Sequence, residues 1–327
     1  MKLKFVNKLK TSSERIIAVD VGTRVVRIVE LSKRKDGIVP ILFDALAIPF
    51  KSSRGDISSE NVSETLNLLL KKNGIKHVSF FSLLPREFVT IKHFEVPTTQ
   101  PDFLKKIMPF EAEKQLPFAI ERSIIDFDFE VLNNATANNS TSPAETPEKS
   151  ENSENDANAE AAPEATGGTS LVTLVAVRNA IIPKFLELVT LKNYKQKKIG
   201  VSSIAQLNLI NYALRKKKIT CPEGEDILLL EIGASRTEFA LIMPEKSRMC
   251  FTRSVSLGGD IYTSYIAKEQ NISFESAEKL KLNSFEKTGL VDPKIFDEVT
   301  TPLLLEIERT IQYIYKKNLS GKIGKIL

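Results

Sequence analysis

Two short stretches carry residue types suited to holding an anion. The first is Ile16-Ile17-Ala18-Val19-Asp20-Val21-Gly22-Thr23, continued by Val25-Val26-Arg27-Ile28-Val29-Glu30-Leu31. The second is Ile227-Leu228-Leu229-Leu230-Glu231-Ile232-Gly233-Ala234-Ser235, followed by Thr237-Glu238-Phe239-Ala240-Leu241-Ile242. Each runs from an apolar strand through an acid, an aliphatic residue, a glycine and a small residue into a second apolar strand. That order reads as a β-hairpin with a tight turn. A turn of small residues lets backbone N–H groups point at an anion with no side chain in the way. The acid at the strand end can orient a metal-bound water beside phosphates. Two such turns across a cleft would grip a nucleotide tail from both sides. The plainer alternative is a pair of ordinary hairpins, since acids are common at turns. The repeat is far too long-range for a solenoid and points to two related halves.

The elements that must position these turns follow along the chain. Val39 to Phe50 reads as a third strand. Ser58 to Glu60 starts a helix that stops at Asn73-Gly74. His77 to Leu83 is a buried-looking strand, so the first half is a mixed sheet covered by helices. Phe88 to Pro97 alternates as a strand. Thr99 or Asp102 caps a helix from Phe103 to about Leu116, kinked or started by Pro109. Ile124 to Leu132 alternates again, and Ser170 to Val177 is a strong strand. Pro183 opens a helix, Lys195, Lys197 and Lys198 form a basic turn, and a short strand lies near Ile199 to Val201. Ser202 or Ser203 caps the next helix. In the second half, a strand from Met249 to Val255 leads through Leu257-Gly258-Gly259-Asp260 into helices at 261–269 and 274–282. A long helix runs from about Pro302 to Lys317. The chain closes on Lys322 to Leu327, which reads as the opening of a strand with no partner sequence after it.

Composition narrows the function classes. The 327 residues are 42% hydrophobic, enough for two ordinary domains. The two cysteines, Cys221 and Cys250, build no disulfide framework, so a cytosolic, reducing compartment is the expectation. His77 and His93 lie far from both cysteines, in strand-like contexts, and read as structural. No apolar run approaches a membrane span, and the N-terminus lacks the apolar region of a signal peptide. Residues 1–10, MKLKFVNKLK, form either a short basic amphipathic helix on a membrane surface or a loose basic tail. Net charge is +5, although residues 133–169 hold seven acids and one lysine. The remainder is therefore more basic, which favours either an anionic partner or simply solvated helix faces. No interleaving of bases and aromatics suggests nucleic-acid stacking. Residues 133–169 hold no aliphatic larger than alanine and read as a disordered acidic loop.

Taken in order and spacing, these motifs resemble the PilM family of bacterial type IV pilus assembly proteins, actin-like relatives of the division protein FtsA. Asp20-Val21-Gly22-Thr23 is similar to the family's first phosphate loop, and Glu231 to Ser235 with Thr237 to its second. Glu231 stands where the family usually has Asp. Pro85 to Val89, residues 111–118 (EAEKQLPF) and Asp126 to Phe129 resemble its inserted small subdomain. Gly258-Gly259 with Ala277 to Lys281 resembles the turn and helix of its last subdomain. The resemblance implies an α/β, actin-like (ribonuclease H-like) two-lobed fold with an inserted small α+β subdomain. The expected division is a basic tail (1–14), the first lobe (15–84 and 179–200), the inserted subdomain (85–178) and the second lobe (201–327, with a small subdomain at 257–300). The last lobe is expected to be incomplete at its C-terminus, lacking the Gly-rich turn that holds adenosine in the family.

The function so implied is a cytoplasmic scaffold, peripheral to the inner membrane, that binds the cytoplasmic tail of a PilN-like bitopic membrane protein. ATP with Mg²⁺ is expected between the turns, with weak or absent turnover. Asp20 is the expected metal-water orienter. Glu231, Gly22, Thr23, Gly233, Ala234 and Ser235 are expected at the phosphates, and Gly258 and Gly259 approach the nucleotide from the last subdomain. Near Gly200, where the family often has an Asp, there is no side chain. Two other classes stay open. One is a phosphotransferase of the sugar-kinase superfamily, for which no catalytic acid near the cleft and no adenosine loop is visible. The other is the actin-like domain of a type II secretion platform protein.

Overall fold

The computed structural model describes residues 15–34, 37–50, 58–76, 79–132, 168–189, 191, 195–284 and 293–327. The chain starts with an antiparallel meander, β1 (Arg15–Val21), β2 (Val25–Arg34) and β3 (Gly37–Ala47), and then forms helix α1 (Ser59–Lys72) and strand β4 (Ser79–Leu84). Ser58 caps α1 by accepting the Asn61 N–H, and Asn73 closes its other end. Next come β5 (Val89–Val96), α2 (Pro101–Gln115), β6 (Ser123–Leu132), β7 (Thr169–Arg178), α3 (Ile181–Val189), β8 (Lys195–Val201) and α4 (Ser202–Arg215). The remainder is β9 (Asp226–Ile232), β10 (Thr237–Met243), β11 (Arg248–Val255), α5 (Gly259–Glu269), α6 (Phe274–Ser284), α7 (Pro293–Lys316) and β12 (Ile323–Ile326).

These strands make three sheets. The first has the order β3-β2-β1-β4-β8, the second β11-β10-β9-β12 and the third β5-β7-β6. The meander pairs are antiparallel, whereas β4 runs parallel to both β1 and β8. The period-2 pattern of β1 and β2 drives Ile17, Val19, Val26 and Ile28 into one core, where Leu66, Leu69 and Leu70 of α1 and Phe185 and Val189 of α3 cover them. The alternate residues, Asp20 and Arg27 among them, face the other way. In the second sheet Leu228, Phe239 and Leu241 pack against Ile314 of α7. The opposite face presents Ile227 and Ile242 to Ile210 of α4. The third sheet lays Val172 and Leu174 on Leu104, Met108 and Ala112 of α2. Its other face continues into the first core through Val89, Ile91, Val175 and Val177.

Several local expectations give way. No side chain caps α2 or α4; α2 opens with Pro101 at its first position instead, where proline's missing N–H costs nothing. Pro109 lies inside α2 on its exposed side. Ile181, two residues before Pro183, starts α3. Lys195 to Lys198 belong to β8 rather than to a turn, because parallel pairing with β4 extends the strand back to Lys195. Pro302 sits within α7, which starts at Pro293. Ile323 to Ile326 do have a partner: they pair in parallel with β9. Residues 1–14 and His77, together with residues 133–167 of the acidic stretch, lie outside the described residues.

Candidate functional site

The two hairpin turns close in the same way. The Gly22 N–H donates to the Val25 carbonyl at 3.0 Å, and the Gly233 N–H donates to the Arg236 carbonyl at 2.8 Å. Register then sets what lies across from each acid. Asp20 stands opposite Arg27 on β2, and Glu231 stands opposite Glu238 on β10. The Arg27 Nη1 donates to Asp20 at 3.1 Å. The second pair has no such complement, since like charges directly opposite across a ladder repel.

Both turns line one cavity of about 180 Å³. Its wall includes Asp20, Gly22, Thr23, Glu231, Gly233, Ala234 and Ser235, all seven expected from the sequence. Gly258 and Gly259 are placed differently. They lie behind the second turn, where the Gly259 N–H donates to the Gly233 carbonyl at 2.9 Å and the Asp260 N–H to the Ala234 carbonyl at 2.7 Å. A Cβ on Gly258 would come within 2.6 Å of both carbonyl oxygens. Gly258 therefore serves close backbone approach, and neither glycine lines the cavity. Gly200 also lies apart from this wall, in β8 with its backbone against Leu83.

The wall also holds residues that sequence reading missed: Arg24, Arg27, Glu87, Ser202, Arg236 and Glu238. Two of them were legible in principle. Arg27 and Glu238 each lie seven positions after their acids, and hairpin register alone makes them partners. Glu87 comes from a short 3₁₀ turn at Arg86–Phe88 and pairs with Arg236 of the second turn. Ser202 starts α4, and its Oγ is buried without a hydrogen-bond partner among the described residues. Arg24 takes Asp260 of α5 in a bidentate pair, Nε and Nη2 each 3.0 Å from a carboxylate oxygen.

The acids of this wall are electrostatically strained. Burial raises the Glu238 carboxyl to about 7, with the Glu231 charge adding and Arg86 opposing. Burial also raises Glu231, reinforced by Asp20 and offset by Arg27 and a hydrogen bond from Gln206. Among the described residues no cluster of three or more His, Cys, Asp or Glu is arranged to hold a metal directly. A cation here would be held through water and a bound anion, as hydrated Mg²⁺ usually is.

A second cleft of about 200 Å³ lies where the third sheet meets α4 and the β10–β11 turn. Its floor carries His93, Thr173 and Asp128, side by side across three strands. Lys246 and Arg248 stand on the far wall. The His93 Nδ1 lies 3.1 Å from the Thr173 Oγ1, and burial with the nearby Arg248 charge lowers this imidazole to about 4.

The model of the family described as type IV pilus assembly protein PilM matches residues 163–327. The chain belongs to the PilM family of type IV pilus assembly proteins. A solved PilM-PilN type IV pilus biogenesis complex is similar in fold, with a TM-score of 0.67 and 19% identity over 97% of this chain and 82% of the other. The fold is thus actin-like. The ethanolamine utilization protein EutJ from Carboxydothermus hydrogenoformans is a more distant likeness, with a TM-score of 0.44 and 13% identity over 95% of this chain and 74% of the other. No curated protein matches the sequence. Among the described residues no helix is long and apolar enough to cross a membrane.

Two outcomes are expected. Gly258→Ala forces the Gly233 and Ala234 carbonyls away from α5 and costs about 2 kcal/mol or more in urea unfolding, by overpacking and lost hydrogen bonds. Glu238 is raised in the folded state, so its favourable contribution is complete below about pH 4.5 and is lost as pH rises through about 7. Glu238→Gln should flatten that decline and raise the melting temperature at pH 8 by about 2–4 °C, for about 1 kcal/mol regained. An unchanged pH profile in the variant would refute the assignment.

Proposed function

We propose that this PilM-family chain is a scaffold of the pilus assembly complex at the inner membrane, working from the cytoplasmic side. In this reading it holds the cytoplasmic tail of a PilN-like membrane protein and takes ATP with Mg²⁺ between its two turns, with slow or no turnover. One observation carries the nucleotide part: two turns closed by the same hydrogen bond, each with an acid two residues before its glycine, line a single cavity. Because the Gly22 and Gly233 amides close the turns, the anion contacts fall to Thr23, Ala234 and Ser235. The cavity is small beside the roughly 300–1,000 Å³ usual for ligand pockets. It suits the phosphate end of the nucleotide, leaving the base outside.

Charge supports the cation. Arg27, Arg236 and Arg24 are already paired with Asp20, Glu87 and Asp260. Glu231, with Glu238 balanced in part by Arg86, remains as excess acid, so a polyphosphate would enter with a divalent ion to screen it. Asp20 would orient that ion's water after sharing its carboxylate with Arg27.

For the partner tail we favour the second cleft. Strand β6 is an edge of the third sheet, where an added strand would take over the Phe127 and Phe129 amides from the Asp126 and Asp128 carboxylates. Lys246 and Arg248 would select acidic or carboxylate groups on that tail.

Calorimetry with Mg-ATP tests the first part. Binding should weaken at least tenfold in Asp20→Ala, whereas equal binding by both proteins, or no binding by either, would refute the cleft assignment. Turnover abolished by the same substitution would make the chain an ATPase instead. For the tail, a peptide of the PilN-like partner's cytoplasmic segment should lose about tenfold in affinity with Lys246→Glu plus Arg248→Glu. Unchanged affinity would move the tail elsewhere.

A further inference from the structure

Arg24 and Asp260 do more than pair. Arg24 belongs to the β1–β2 turn of the first lobe, and Asp260 to the first turn of α5 in the second. Their side chains are 16% and 21% exposed. The guanidinium also sits 4.9 Å from the ring centres of both Phe50 and Phe274. Those rings meet edge to face at 5.5 Å, Phe50 coming from the end of the first meander and Phe274 from the start of α6. Asp260 is anchored from behind as well, because its backbone N–H is bonded to Ala234 of the second turn. One residue thus ties to the second turn through its backbone and to the first through its side chain.

We propose that Arg24, Asp260, Phe50 and Phe274 form an interlobe latch that holds the two turns at a fixed separation before any ligand arrives. Bidentate geometry fixes orientation as well as distance, which a lysine at position 24 could not do. The flanking rings exclude water from the pair and strengthen it. The two elements bridged by this contact move as bodies if the lobes hinge, so the latch sets how often the cleft opens. Arg24 also lines the cavity. An anion between the turns therefore competes with Asp260 for the same guanidinium.

The test is a distance measurement on the ligand-free chain. Spin labels are placed at Lys71→Cys on α1 and Lys268→Cys on α5, both exposed positions, with Cys221 and Cys250 replaced by alanine. Pulsed electron paramagnetic resonance reads the distance distribution between them. Asp260→Asn and Arg24→Gln should broaden it and shift it outward by several ångström. Arg24→Lys should give an intermediate result, and the exchanged pair Arg24→Asp with Asp260→Arg should restore the narrow distribution. A distribution in Asp260→Asn that overlays the parent's would overturn the latch, as would failure of the exchanged pair to restore it when the single variants are folded by circular dichroism. A second arm rests on the nucleotide reading above. There, Asp260→Asn should bind Mg-ATP severalfold more tightly, because Arg24 is released. Loss of Mg-ATP binding in every variant counts against the nucleotide reading, while the distance arm decides the latch.

Discussion

The first amides of α5 must find acceptors, as at the start of any helix. They find them in the carbonyls of Gly233 and Ala234 at the crown of the second hairpin. Much of the cleft depends on this junction. It fixes the second turn against a helix, and it sends the Asp260 carboxylate across to the first turn. It also explains the glycine at 258: a side chain there would occupy the space of three backbone atoms. A motif that looks like a ligand-binding loop is here a packing requirement one layer behind the cavity wall.

The two hairpins share backbone geometry but not charge. On the first, acid meets base across the ladder; on the second, acid meets acid. A burial-raised Glu238 facing Glu231 makes the second turn the more responsive to protons and cations. The first turn is electrically settled by Arg27. Any anion drawn into the cavity meets unlike walls, which orients it even though the backbone frame is nearly symmetric.

How much of this was legible in the sequence depends on range. The hairpins, α1 with its Ser58 cap, and the strands at 89–96 and 123–132 follow from period-2 and period-3.6 patterns and from local capping chemistry. The seven turn residues on the cavity wall were found because two matching motifs pointed to them. Elements whose boundaries depend on distant partners were misread. Lys195 to Lys198 look like a turn because lysines are usually solvated, but β4 offers backbone partners that extend the strand. Ile323 to Ile326 look orphaned because parallel pairing leaves no adjacent hairpin to notice. Pro302 reads as a helix start, whereas α7 accommodates it inside. Glu87, Arg24 and Asp260 could not be joined by any local rule, since each meets its partner only when distant segments are brought together.

The parallel seam between β4 and β8 bears on how the chain reaches this state. Ser79 lies opposite Lys195, with the entire third sheet inserted between the two strands in sequence. The meander β1-β2-β3 closes through short turns and can form early. The seam cannot, because closing so long a loop carries an entropic cost before any contact compensates it. A prior collapse of the inserted module would shorten the effective loop. Topology thus favours an order in which the inserted strands collapse before the β4–β8 seam closes.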